Sequence, residues 1–221
     1  MFSTEHFYAI AILILSLICL YIFKKALTNK KLFERILAIS LLTMEIAYHI
    51  VLILSNDWTL SESLPIHLCS FSLFFSIVTL WTGNTRFYPF IFYAGVSGAI
   101  QAVLTPSTTV NYPHFLFIQF FYIHIGIIFT GFYILWVKGY KPTFKGIIHT
   151  LILLNILALF AFIVNTFVEG NYMFLNEKPF NSSLLDFLGP FPWYILSLEV
   201  VAFILFVAQW LVFRKWKPSK S

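Results

Sequence analysis

The chain has 221 residues, 60% hydrophobic and only 10% charged, whereas an ordinary soluble domain carries about 25% charged residues. Most of it therefore cannot face water. Its net charge of +5 is spread over several short connections, as topology signals are, which argues against a single nucleic-acid-binding stripe.

Seven apolar runs follow one another: 7–23, 36–54, 66–81, 88–104, 115–137, 147–167 and 192–213. A bilayer core demands about 20 such residues per helix, and lipid offers no partner to an unpaired peptide group. No barrel-like alternation is visible, so the pattern predicts an all-α, polytopic, seven-helix membrane bundle, with residues 1–221 as one domain. The first run lacks a basic leader and an A-x-A-like cleavage site and reads as a retained span. The third is the shortest, and Pro65 marks its start, in the role of a first-turn proline. In the fourth, Ala94 and Gly98 fit a small-xxx-small packing face. Trp58, Trp81, Trp136, Tyr140, Trp193, Tyr194 and Trp216 fall near span ends, as an aromatic belt requires. Cys19 and Cys69 belong to different runs and suggest no disulfide framework, and Cys19 reads as inert packing.

Basic residues orient the bundle. Lys24, Lys25, Lys30, Lys31 and Arg35 lie between runs 1 and 2, Arg86 between 3 and 4, and Lys138, Lys141 and Lys145 between 5 and 6. Arg214, Lys215, Lys217 and Lys220 follow run 7. These account for 13 of the 14 basic residues; the opposite set of connections holds only Lys178. The positive-inside rule then puts the N-terminus outside and the C-terminus in the cytoplasm, in the cell membrane.

An ionisable group near the bilayer centre costs at least about 2.5–3.5 kcal/mol, so polar residues within the runs need explaining. They are Glu45 and His49, His67 and Cys69, Gln101, His114 and His124, Asn155 and Asn165, and Glu199. His49, Gln101 and Asn165 come late in outward runs. His67, Cys69, His114 and Glu199 come early in inward ones, and Glu45 and His124 sit near mid-depth. Only Asn155 and His149 occupy the opposite half. A polar cavity toward the extracytoplasmic leaflet is the expectation. Glu45 and His49, spaced i, i+4, can satisfy each other, and Gln101 and the asparagines can be interhelical hydrogen-bond glue. Cys69 falls in the first turns of its helix, where the dipole favours a thiolate. His67 and Cys69 would point about 200° apart on a helix, so a base from another helix fits better, and His124 is the best placed. A core histidine bonded to a neighbouring carbonyl is its alternative role.

The elements "LPIHLCS", "QAVLTP" at 101–106 and "PHF…FFYIHIG", with His114 and His124 ten apart, resemble the YwaF family of bacterial integral membrane proteins. They also resemble its eukaryotic relatives, the transmembrane protein 164 family. The resemblance covers most of the chain. It implies a cysteine-dependent acyltransferase or acyl hydrolase acting on membrane phospholipid or lysophospholipid, with Cys69 as nucleophile and His124 as base and no cofactor. His67, His114 or Gln101 would bind the oxyanion, and Glu45, with His49 beside it, would orient a histidine.

Two other classes stay open. His67, Cys69, His49, His114, His124 and Glu45 supply enough ligands for a metal or haem, although their spacing matches no H-E-x-x-H or C-x-x-C signature. Glu45 and Glu199 would suit a proton-linked carrier, although no inverted repeat of broken helices is visible. The sequence leaves the oligomeric state open.

Overall fold

The computed structural model describes residues 4–106, 108, 110–179 and 184–216; Lys217 and Lys220 of the basic tail lie outside them. Every regular element among these residues is helical. Seven helices follow in order: α1 Thr4–Phe23, α2 Lys31–Leu54, α3 Leu68–Thr82, α4 Thr85–Leu104, α5 Phe115–Trp136, α6 Phe144–Val168 and α7 Trp193–Phe213. Six are long and apolar enough to cross a membrane, and α3, with 15 residues, is the short one. At 1.5 Å per residue it extends about 22 Å, less than a hydrocarbon core of about 30 Å.

The starts of the helices differ from the apolar runs where other physics sets them. α2 begins at Lys31, five residues before its apolar run, because Glu34 is drawn inside: its carboxylate accepts from the Tyr133 hydroxyl at 2.8 Å and pairs with Lys138. Lys31 and Arg35, read as loop charges, are thus helical. α6 begins at Phe144, where the Thr143 hydroxyl accepts from the Gly146 N–H at 3.0 Å. α3 ends on Gly83, whose φ of 74° makes a left-handed cap.

α5 and α4 form the centre, each with about half or more of its residues buried, whereas α7, in which Tyr194 and Phe206 alone are buried, lies at the periphery. Two glycines let neighbours close on α5. A Cβ on Gly126 would meet Leu41 of α2, and one on Gly131 would meet Val96 of α4. α4 carries a π turn at Ile91–Gly95. The extra residue breaks the regular spacing, so the close-approach pair in α4 is Gly95 and Gly98 and not Ala94 and Gly98. Ala94 packs instead in the aromatic cluster with Phe92, Tyr93 and Phe206. Gln209 of α7 bridges the disturbed turn, donating to the Phe92 carbonyl at 3.2 Å and accepting from the Ser97 hydroxyl at 3.0 Å. Cys19 is exposed on α1, not packed inside.

Candidate active site

Local geometry sets the start of α3. Ile66 is buried with Ala161 and Tyr172, and His67, in an extended conformation (φ −75°, ψ 162°), is the N-cap. Leu68 is the first helical residue and Cys69 the second. Pro65 therefore precedes the cap and is not in the first turn. Cys69 moves closer to the positive end of the helix than the apolar run suggests. The first intrahelical bond is from Phe71 N–H to the His67 carbonyl, 3.1 Å. The N–H groups of Leu68, Cys69 and Ser70 accordingly have no carbonyl ahead of them within the helix. The half-buried Cys69 packs against the core that contains Leu73, Phe121 and Ile127.

His67 turns away from that core. Its Nδ1 accepts from the Met173 N–H at 3.2 Å, and its ring lies edge-on to Tyr172, centroids 5.1 Å apart. Burial pushes the imidazole below its usual pKa, because charging it would forfeit solvation. A polar hollow of about 360 Å³ opens beside it, lined among others by Glu62, Glu169, Glu177 and Lys178.

His124 is buried in α5. Its Nδ1 lies 2.6 Å from the Phe120 carbonyl oxygen. That oxygen can only accept, so Nδ1 carries the proton and Nε2 keeps its lone pair. This is the neutral tautomer a general base needs, oriented by a carbonyl where a catalytic triad uses a carboxylate. The bond is also the one expected of a core histidine, so the two readings coincide at Nδ1 and differ only in what Nε2 does.

Cys69 and His124 stand at one level. A Cβ on Gly95 would lie 3.3 Å from both Ser72 Cβ of α3 and Ile127 Cγ2 of α5, so these three share a layer. Alternate helices run in the same direction, so α3 and α5 are parallel. Cys69 and His124 each precede that layer by three residues, about 4.5 Å along the axis. Gly98 reaches the same level on α4, and a Cβ there would meet only Leu68 within 4 Å.

The other predicted residues have separate engagements. Glu45 and His49 form the i, i+4 pair, with His49 Nε2 3.7 Å from Glu45 Oε1. Trp58 Nε1–H donates to His49 Nδ1 at 3.2 Å, and Gln119 of α5 donates to Glu45 Oε2 at 3.3 Å. The histidine that Glu45 orients is thus His49. Gln101 donates to the Thr105 hydroxyl at 2.8 Å, closing the end of α4. His114 is exposed and caps α5, its Nδ1 accepting from the Leu116 N–H at 3.2 Å. Asn165 holds Tyr172 through both backbone groups, at 2.8 and 3.0 Å. Asn155 donates to Glu199 at 2.7 Å, so the two share a depth and do not fall in opposite halves. The two acids of the carrier reading thus bond to different helices.

Gln119 escaped the sequence reading, although an amide five residues before His124 in an apolar run is the same signal that singled out Gln101. Glu34 escaped because it lies outside the apolar run.

Among the described residues no three side chains from His, Cys, Asp and Glu converge to hold a metal. The sequence matches the TMEM164 family over residues 1–210. The chain belongs to the TMEM164 family. Of the two related families that its motifs resemble, this match carries the TMEM164 one and not the YwaF name. No curated protein and no solved structure matches the chain.

Proposed function

We propose that this TMEM164-family member is an integral membrane acyltransferase or acyl hydrolase acting on phospholipid and lysophospholipid, with Cys69 as nucleophile and His124 as base. The observation that carries the reading is the His124 contact: Nδ1 is committed to the Phe120 carbonyl, which leaves Nε2 as the nitrogen able to take a proton, at the level of a cysteine in the first turn of α3.

Nε2 takes the Cys69 proton, and the thiolate attacks the ester carbonyl of a phospholipid. The tetrahedral oxyanion collapses and expels the lysophospholipid alkoxide, which takes the proton from the imidazolium and leaves an acyl-thioester on Cys69. An acceptor hydroxyl, of a second lysophospholipid or of water, then gives its proton to His124 and attacks the thioester. The thiolate leaves and is reprotonated by the imidazolium. In this reading residues 1–221 form one seven-helix domain in the cell membrane, the N-terminus outside, and the site opens toward the extracytoplasmic leaflet. His67 supports the start of α3, while Gln101, His114, Glu45 and His49 shape the surroundings.

The test uses purified protein in phospholipid vesicles, with lysophospholipid release and the intact mass of the protein as readouts. An acyl adduct that disappears in Cys69→Ala, and activity lost in both Cys69→Ala and His124→Ala, is the expected result. Unchanged activity in both variants would sink the thiol mechanism.

A further inference from the structure

Across α5 from the Cys69 level lies an apolar cleft of about 770 Å³ between α1 and α2. Ile12 of α1, Leu37 and Leu41 of α2, and Tyr122, Ile125 and Phe129 of α5 are among its walls. Its floor is the place where Gly126 lets Leu41 come close. Polar groups enter the lining at the end where α1 and α5 begin, with Glu5, Tyr8 and Tyr112. α1 packs on α5 and touches α4, and the cleft separates it from α2.

We infer that this cleft is a binding site for one acyl chain of a bilayer lipid, its headgroup at the Tyr8 and Tyr112 end, and that the chain occupying it is not the one that reacts at Cys69. Three observations point there. The walls belong to helices that are membrane spans by length and composition, so the fluid in contact with the cleft is lipid. Along α5 the lining runs from Phe117 to Phe129, about 18 Å at 1.5 Å per residue, so the cleft is a long groove along the helix and not a round pocket. The lining is apolar along its depth and polar at one end, as an amphiphile is. The separation from the reaction follows from the lining: α3, which carries Cys69, contributes no residue to the cleft, and it meets α5 on the Ile127 side, about 200° from Ile125. The inference does not depend on the proposed reaction.

The experiment places the full chain in phosphatidylcholine vesicles doped with a phospholipid that carries a diazirine on its acyl chain. Irradiation and peptide mass spectrometry then map the adducts. Adducts should concentrate on Ile12, Leu37, Tyr122 and Ile125, and Ile125→Trp should cut them at least tenfold while leaving adducts on exposed Leu196 of α7 unchanged. Leu37→Trp serves if Ile125→Trp is not monodisperse. Adducts no denser at the cleft than on α7, or undiminished by either tryptophan, would mean annular lipid only and overturn the site. So would an added bifunctional cross-linker that joined α1 of one copy to α2 of another across the cleft, which would make the occupant protein.

Discussion

The Tyr172 hydroxyl donates to the Leu60 carbonyl and accepts from the Leu64 N–H, both at 2.8 Å, and the residue is fully buried. Tyr172→Phe keeps the ring but orphans both backbone groups, a loss of about 1–3 kcal/mol that thermal melting in detergent should register as a lower Tm. His67 beside it offers a pH test. Its folded pKa lies below the usual value of about 6.5, so the unfolded chain takes up its proton first as pH falls. Stability should therefore be full above pH ~6.5 and decline as pH drops toward the folded pKa, and the Met173 N–H loses its acceptor when the ring charges. Glu62, Glu169, Glu177 and Lys178 line the same hollow. A Tm that falls between pH 7 and 5 in the native protein and is flatter in His67→Gln is expected. At this scale Cys69 and His124 were visible in the sequence because each is costly in an apolar run. The engagements of His67 were not, since Met173 and Tyr172 stand more than 100 residues away.

The elements pack through a few small residues whose partners decide their cost. A Cβ on Gly131 would lie 2.2 Å from Val96 Cγ2, and valine is stiff about χ1, so it cannot swing away. Gly131→Ala should destabilise the fold by about 1–3 kcal/mol, and Val96→Ala in the same chain should recover most of that loss. A double-mutant melting cycle measures the coupling, and strictly additive effects would contradict the contact. The π turn of α4 shows the limit of periodicity. Sequence spacing assumes 3.6 residues per turn, so a single extra residue moves Gly95 into the seat expected for Ala94. Nor does hydropathy locate the start of α2, where buried Glu34 is held by Tyr133 of α5 and by Lys138 just beyond its end, about 100 residues later.

On the scale of the whole molecule, the orientation read from basic residues can be tested directly. In a Cys19→Ser, Cys69→Ser background, a cysteine at Asn176 in the α6–α7 connection should react with an impermeant maleimide on intact cells. One at Lys25 between α1 and α2 should react only after lysis. The reverse pattern would invert the topology. What the sequence alone determined is the membrane class, the helical content, the order of the helices and a short list of costly polar residues, because lipid forbids unpaired backbone and penalises charge wherever it lies along the chain. The tertiary structure decided which of those residues meet. Spacing along the chain gives the Glu45–His49 pair, but it could not tell that Cys69 and His124 would stand at one level, that Glu45 would also go to Gln119, or that Asn155 would reach Glu199. Such pairings depend on which faces α2, α5, α6 and α7 turn toward one another. Side-chain contacts between neighbouring helices set those faces, and no single helix carries that information.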